Sequence, residues 1–235
     1  MRKKSANISC FSCESRLNSV FCRIEDSDVL NVNLNKSRFT YNKGDIIFHQ
    51  DTLPLGLFII EKGKVKIYKG IGNGRDHIVR LTKAGDIIGY RALLNDAPYG
   101  STAEALEETD VCFLSKDLFN EILKNNRSIS EKIIELLSEE LQHTETLLSG
   151  NSIKPVKARV AEMILDIKEK FGFEKDNSTL NITLSRADLS NLVGTATETL
   201  IRTLMMLKEE HLIDIAGKKI KILDQRKLIQ VSHMK

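Results

Sequence analysis

Four cysteines are the residues of this 235-residue chain whose spacing most clearly suggests chemistry. Cys10, Cys13 and Cys22 lie close together near the N-terminus, and Cys112 stands alone in the middle of the chain. Clustered thiolates suit a structural zinc ion or an iron–sulfur cluster, and both kinds of site take four ligands. Cys112 is the candidate for the fourth ligand, and the alternative is that it serves as a small buried apolar residue.

The segment around Cys112 reads as a β-strand, and its alternation decides which way the thiol faces. Successive side chains of a strand point to opposite faces, so Cys112 lies on the face opposite Val111 and Phe113. We expect one face of this strand to enter the core and the other to meet the N-terminal arm. Structural disulfides are not expected, because a cytoplasmic protein keeps its thiols reduced.

Composition and charge place the chain among globular proteins of about two domains, with 41% hydrophobic residues. No apolar run is long enough to span a bilayer and residues 1–10 lack an apolar signal core, so we expect a cytoplasmic protein without a membrane partner. Residues 151–235 carry 15 Lys and Arg against 11 Asp and Glu, a mildly basic balance that suits DNA binding. Five scattered histidines and the lack of a Gly-rich phosphate loop argue against an enzyme.

Residues 184–215 read as a helix, a tight turn, a second helix and a strand. Ser185 and Asp188 have the spacing of a capping box at the start of the first helix. Gly194 can adopt the left-handed conformation that ends this helix, and the second helix begins at about Thr197. Its buried stripe should be Leu200, Leu204 and Leu207. Two short helices joined by such a turn are typical of a helix-turn-helix, whose second helix enters the DNA major groove.

The opposite face of the second helix carries polar side chains suited to reading bases. Arg202 can donate two hydrogen bonds to guanine, and Glu198 can accept one from cytosine. A buried helical hairpin is the alternative, but it would leave these side chains and Thr197 without partners. After this helix, residues 212–215 and 220–223 predict a hairpin, the wing of a winged helix, whose lysines can reach phosphates.

Short apolar runs between glycine-bearing turns fill residues 32–114 and predict a jelly-roll-like barrel. A helix with a wide apolar face follows at about residues 128–148. Part of this face can pair with the same helix of a second chain, since apolar residues at heptad spacing form dimer seams. Burial of the whole helix within one chain is the alternative. The expected seam residues are Ile129, Ile133, Leu136, Glu140 and Leu147, with Glu140 as a repulsive pair that keeps the seam marginal.

The segment from Ser185 to Ile213 resembles the helix-turn-helix of the Crp/Fnr regulators. The recognition helix of that family carries Glu-Thr-x-x-Arg, which here is Glu198, Thr199 and Arg202. The resemblance implies that Glu198 and Arg202 read bases in double-stranded DNA and that Thr199 contacts a phosphate.

Two positions of this segment depart from the family pattern. The usual Ser or Thr helix cap is Ala196, so we expect Thr195 or Thr197 to cap the second helix. Ile201 stands where Fnr-type members have Ser and Crp-type members have Gly, which leaves the operator sequence open. The expected DNA contacts are Ser185, Arg186, Thr195, Thr197, Glu198, Thr199, Arg202 and Lys218.

The cysteines resemble those of the Fnr-type oxygen sensors, which have an N-terminal cysteine cluster and a single cysteine in the sensory domain. In those proteins the four thiolates bind a [4Fe–4S] cluster that favours the dimer, and oxygen degrades it. The resemblance implies the same ligands here: Cys10, Cys13, Cys22 and Cys112. Eight residues separate Cys13 from Cys22, where the enterobacterial type has five. Zinc in the four-thiolate site is the nearest alternative.

Residues 43–48, 63–68 and 84–90 resemble the cyclic-nucleotide-binding β-roll of the family. The phosphate cassette of that β-roll needs a Glu after Gly and, further on, an Arg, to bind ribose and phosphate. Here Tyr90 stands in place of the Glu and Gly100 in place of the Arg. We therefore expect no cyclic nucleotide, and a regulator that responds to another small ligand in the β-roll is the alternative to oxygen sensing.

The resemblance implies an α+β fold with a β-roll, a long dimerisation helix and a C-terminal winged helix-turn-helix. The expected boundaries are a cysteine-bearing arm at 1–31, the β-roll at 32–125, the dimerisation helix and hinge at 126–150, and the DNA-binding domain at 151–235. The expected partners are a palindromic DNA operator, a second copy of the chain and RNA polymerase.

Overall fold

The computed structural model describes residues 3–5, 8–22, 24–70, 76–151 and 154–234, and for residues 143 and 146–151 the backbone alone. The chain forms two compact units, Met1–Leu141 and Gln142–Lys235. The first unit carries the cysteines and the second unit carries the helix-turn-helix, so the predicted cysteine site and the predicted DNA contacts belong to different units.

The first unit is a β-roll built from antiparallel strands. These are β1 (Lys3–Lys4), β2 (Ser37–Tyr41), β3 (Ile46–Phe48), β4 (Gly56–Lys62), β5 (Lys64–Gly70), β6 (Asp76–Lys83), β7 (Ile87–Ile88), β8 (Thr102–Ala105) and β9 (Thr109–Ser115). One sheet has the order β1-β2-β9-β4-β7, and a second sheet has the order β3-β8-β5-β6. The β-roll predicted from the glycine-punctuated apolar runs is thus confirmed.

Helices cover the first sheet on its outer face. They are α1 (Glu14–Leu17), α2 (Asp26–Asn35), α3 (Tyr90–Leu94), α4 (Lys116–Asn125) and α5 (Arg127–Asn151). Two acidic residues in the first turn of α2 stabilise its N-terminal end, because their negative charge lies at the positive end of the helix dipole. Val29 and Val32 are buried on one face of this helix. The boundary expected between residues 31 and 32 therefore falls inside a helix. Ser115 caps α4 by accepting a hydrogen bond from the Leu118 amide.

Strand β9 divides its side chains between two cores. Val111 enters the inner core between the two sheets, whereas Cys112 and Leu114 enter an outer core between the first sheet and the helices. The predicted orientation of Cys112, opposite Val111, is confirmed. The outer core also contains Cys10, Phe21, Val29, Leu57, Phe119, Ile129 and Ile133. It therefore joins the N-terminal arm, strand β9 and helix α5.

The face of α5 expected to form the dimer seam packs largely on the β-roll of the same chain. Ile129 and Ile133 are 0% and 3% exposed, and Leu136 is half-buried against the outer core. The Glu140 carboxylate contacts β-roll arginines rather than facing solvent. The side chain of Leu147 lies outside the described residues. Ile129 and Ile133 are therefore not available to a dimer seam, because the β-roll of the same chain buries them. For Leu136 and Leu147, the expected seam stays a prediction.

The second unit is a winged helix-turn-helix. Its elements are α6 (Val156–Phe171), α7 (Arg186–Val193), α8 (Thr197–Glu209), β10 (Ile213–Ala216), β11 (Lys219–Ile222) and α9 (Gln225–Ser232). The capping box at Ser185 and Asp188 has both of its hydrogen bonds, and Gly194 ends α7 at φ +69°. Strands β10 and β11 pair antiparallel as the predicted wing.

Other parts of the second half of the chain differ from expectation. Helix α5 continues through Ser149 and Gly150, at the end of the stretch 126–150 in which a hinge was expected. Helix α9 follows the wing in a stretch for which the sequence indicated no particular element; Asp224 caps it and Leu228 is fully buried. In the described part of the chain, no helix is long and apolar enough to cross a lipid bilayer.

Candidate DNA-binding surface and cysteine cavity

The predicted base-reading side chains lie on the exposed face of α8. Its buried stripe is the expected one, with Leu200, Leu204 and Leu207 each no more than 1% exposed. Glu198 and Arg202 are both exposed and are four positions apart, so they lie on the same face of the helix. The half-buried Thr199 sits beside them. This face offers a carboxylate acceptor next to a guanidinium donor, as base readout requires.

The start of α8 is not capped by a threonine. Its N-cap residue is Ala196, which provides no side-chain hydrogen bond. The Thr197 hydroxyl lies instead 3.0 Å from the hydroxyl of Ser190, and the Thr195 amide donates to the Ser190 carbonyl oxygen at 3.1 Å. The expectation that Thr195 or Thr197 caps the helix is therefore wrong. Both threonines join α8 to the end of α7, and the first amides of α8 have no side-chain cap of their own.

The first helix of the motif is tied to the wing. The Arg186 guanidinium donates from Nη2 to the carbonyl oxygen of Gly217 at 3.0 Å, and burial lowers the pKa of Arg186. The Ser185 hydroxyl serves the capping box, where it lies 2.5 Å from the Asp188 carboxylate. Lys218 is exposed at the two-residue wing turn beside Gly217. Arg186 therefore contacts the wing turn, and the role of Lys218 as a phosphate contact stays a prediction.

Two apolar side chains on the reading face were not among the predicted contacts. Ile201 is 44% exposed and Met205 is 47% exposed, and both lie on the side of α8 that carries Arg202. Exposed apolar groups on a reading helix suit contact with the thymine methyl group. The helical period of the sequence already places both opposite the buried leucine stripe, although neither was among the expected DNA contacts.

Two N-terminal cysteines and the strand cysteine line one cavity in the first unit. Cys10 and Cys13 come from the N-terminal segment, and Cys112 comes from β9. The cavity has a volume of about 30 Å³, enough for about two water molecules. Cys22 is half-buried in the turn that follows α1 and does not line this cavity. The structure thus brings together three members of the predicted ligand set from opposite ends of the unit.

The cavity is mostly apolar, but two cationic side chains line it, the buried Lys36 and the half-buried Arg16. Lys36 is 3% exposed and lines the cavity, and its ammonium donates to the carbonyl oxygen of Ile8. Burial raises the pKa of the Cys112 thiol to about 12, and the Lys36 ammonium opposes this rise. The Cys10 amide donates to the Asn33 side-chain oxygen at 2.9 Å, which ties the arm to α2. The buried ammonium is placed to balance negative charge that develops on the thiols.

The cysteine thiols that line this cavity are the type of ligand that a soft metal ion prefers. Thiolates select zinc and iron–sulfur clusters, and the buried Lys36 would offset part of their charge. Over the described residues, however, no three His, Cys, Asp or Glu side chains stand close enough together to hold a metal ion. A four-thiolate centre therefore requires residues 10–22 to bring their thiols closer to Cys112.

Comparison with protein families identifies the chain. Residues 38–126 match the cyclic nucleotide-binding domain, and residues 158–231 match the Crp-like helix-turn-helix domain. The chain belongs to the Crp/Fnr family. It is a DNA-binding transcriptional regulator, and the exposed face of α8 lies within the matched DNA-binding domain.

Individual relatives of this Crp/Fnr regulator are distant. It is 29% identical over 182 residues to the probable transcriptional regulator flp of Lacticaseibacillus casei, covering 77% of this chain and 81% of flp. It is 25% identical over 193 residues to the fumarate and nitrate reduction regulatory protein of Vibrio cholerae, covering 81% and 76% of the two chains. The structure of FixK2 from Bradyrhizobium japonicum has the same fold, with a TM-score of 0.75, 22% identity and coverage of 85% and 98%.

The region of this Crp/Fnr regulator that corresponds to the phosphate cassette has Tyr90 in place of the Glu and Gly100 in place of the Arg. Gly89 has φ +84°, and Tyr90 and Arg91 open the short helix α3 directly after it. Gly100 is exposed, and a Cβ atom built there would meet nothing within 4 Å, so the second cassette position offers no charged group. The absence of a bound cyclic nucleotide stays a prediction. In the structure, the side chains of Tyr90 and Arg91 contact the carboxylate of Glu140.

Proposed function

We propose that this Crp/Fnr regulator senses oxygen or redox state through a [4Fe–4S] cluster held by Cys10, Cys13, Cys22 and Cys112. The observation that carries the proposal is the shared cavity of Cys10, Cys13 and Cys112, which lie in distant parts of the sequence. Cys22 belongs to the same N-terminal segment and would complete the set. Relatives named as a fumarate and nitrate reduction regulator and an anaerobic regulatory protein support the same signal.

The outer core offers a route from the cysteines to α5. Cys10, Cys112, Ile129 and Ile133 all belong to this core, so the order of the N-terminal arm bears on the packing of α5. A [4Fe–4S] group would supply an oxygen-labile cross-link among four thiolates. Loss of that link would release the arm from β9 and weaken the packing that fixes α5.

We infer that α5 forms a parallel dimer through a stripe different from the one predicted. Ile134 is 62% exposed and Leu141 is 61% exposed, and they are seven positions apart. Heptad spacing of exposed apolar residues is the pattern of a two-helix seam. A dimer would place two α8 helices on half-sites one DNA turn apart, roughly 34 Å, and so read a palindromic operator.

On DNA, the described surface divides into reading and anchoring groups. Glu198 and Arg202 would read base edges, with Thr199 on a phosphate. Lys218 at the wing turn would contact the phosphate backbone. RNA polymerase would be the partner through which the bound dimer acts on transcription.

The test is DNA binding by the full chain, purified without oxygen and then exposed to air. We expect operator binding to fall in air for the wild type, and to be low under both conditions for Cys22→Ser and Cys112→Ser. The Ser12→Ala variant, changed at an exposed position between two cysteines, should behave like the wild type. Oxygen-dependent binding that survives both cysteine replacements would overturn the proposal.

A structural zinc ion in the same site is the second candidate, because the same thiolates suit it. A zinc-bound regulator would be colourless, would bind DNA equally well in air and under nitrogen, and would lose folding stability when a chelator removes the metal.

A further inference from the structure

The carboxylate of Glu140 on α5 is surrounded by basic and hydroxyl groups of the β-roll. The Tyr90 hydroxyl donates to Oε2 at 2.9 Å, and Arg91 Nη2 lies 3.0 Å from the same oxygen. Arg80 of β6 contacts Oε1 through Nη1. The side chains of Glu140 and Arg80 are 16% and 15% exposed, whereas that of Arg91 is 56% exposed. The cluster is therefore buried at Arg80 and open to solvent at Arg91.

The cluster has the chemistry of an oxyanion site. Two guanidinium groups and a phenol converge on one anion, and guanidinium groups match the oxygen geometry of carboxylates and phosphates. The site is held in place independently of Glu140, because Arg80 also donates from Nη2 to the Ile87 carbonyl oxygen at 2.8 Å. The Asp86 carboxylate, which accepts a hydrogen bond from the Lys83 amide, is a further acidic group that acts on Arg80.

We propose that Arg80, Tyr90 and Arg91 form an oxyanion site in which the chain's own Glu140 is the bound anion. Arg80 comes from β6, and Tyr90 and Arg91 come from α3, so two elements of the β-roll converge on one anion supplied by α5. The chemical class that could replace it is a small oxyanion such as phosphate. The site does not involve the cysteines, so it stands or falls separately from the oxygen-sensing proposal.

Glu140 is accordingly a positioning residue for α5. The β-roll holds the Glu140 carboxylate, and on the same helix Ile129 and Ile133 are buried against the β-roll. Ile134 and Leu141 of α5 remain exposed. The same contact removes the repulsion that a solvent-facing Glu140 would bring to a dimer seam, since its charge is balanced by two arginines.

The experiment measures the melting temperature of the full chain with inorganic phosphate, against sodium chloride of equal ionic strength. Glu140→Ala vacates the site, and Glu139→Ala is the matched control, because Glu139 is the exposed neighbour on the same helix. We expect phosphate to raise the melting temperature of Glu140→Ala by about 2–4 °C and to leave the wild type and Glu139→Ala unchanged. Adding Arg80→Gln to Glu140→Ala should abolish the rise. Equal shifts in all variants would overturn the proposal.

A second measurement covers the case in which Glu140→Ala does not fold. Glu140→Gln keeps the shape and removes the charge, and hydrogen exchange of residues 133–141 reports the docking of α5. We expect these amides to exchange about tenfold faster in Glu140→Gln than in Glu139→Gln, with Glu140→Asp intermediate. Equal exchange in the two glutamine variants would contradict the assignment of Glu140 as the ligand of this site.

Discussion

Arg186 of α7 and Gly217 of the wing turn are joined by a hydrogen bond of 3.0 Å from the guanidinium to the carbonyl oxygen. The bond connects two DNA-facing parts of the motif that are 31 positions apart in the chain. A residue expected to contact DNA directly is therefore placed to act through the wing.

Replacing Arg186 with Ala should loosen the wing and lower DNA affinity. The lost hydrogen bond frees the turn that carries Lys218, so amides of β10 and β11 should exchange faster with solvent. Arg226→Ala is the control, because it removes the same charge from an exposed position on α9. Equal wing exchange in the two variants would show that Arg186 does not hold the wing.

Replacing Arg202 with Ala should relax sequence specificity. A bidentate contact to a base is worth about 1–3 kcal/mol of discrimination, so affinity for the operator should fall while affinity for random DNA changes little. Fluorescence anisotropy with both DNAs measures the ratio. An equal loss on the two DNAs would instead identify Arg202 as a phosphate contact.

Replacing Lys218 with Ala should weaken binding to all sequences alike. Lys218 is exposed at the wing turn, where it is placed to neutralise a phosphate. Loss of one phosphate contact lowers the salt dependence of the binding constant by about one unit of slope on logarithmic axes. A slope that stays unchanged would exclude Lys218 from the DNA interface.

The two apolar faces of α5 should respond differently to substitution. Ile134→Glu should dissociate the dimer without unfolding the chain, because Ile134 is 62% exposed. Ile133→Ala should instead cost about 2–5 kcal/mol of folding stability, because this side chain is buried in the outer core. Ile201→Glu, at an exposed isoleucine of the second unit, is the control for dimerisation. Sedimentation and thermal melting separate the effects, and a stable dimer of Ile134→Glu would contradict the inferred seam.

Features that depend on local sequence could be predicted, and they match the structure. The capping box at Ser185, the left-handed Gly194 and the buried leucines of α8 follow from neighbours within a few positions. The orientation of Cys112 follows from the two-residue period of a strand.

Features that depend on distant partners could not be predicted in the same way. The partners of Glu140 are Arg80, Tyr90 and Arg91, which are about fifty positions or more away, so heptad spacing alone assigned it to the wrong surface. Helix α2 was missed because its mixed polar and apolar residues have little amphipathic pattern. The role of Arg186 depends on a wing turn that only the folded unit brings near it.

The visible absorption spectrum of the full chain purified without oxygen tests the central claim most directly, with iron, sulfide and zinc assayed on the same sample. Four thiolates around a [4Fe–4S] cluster predict a brown protein with about four irons and four sulfides per chain, which bleaches in air. A colourless protein with about one zinc per chain would contradict oxygen sensing and make the cysteines a structural site.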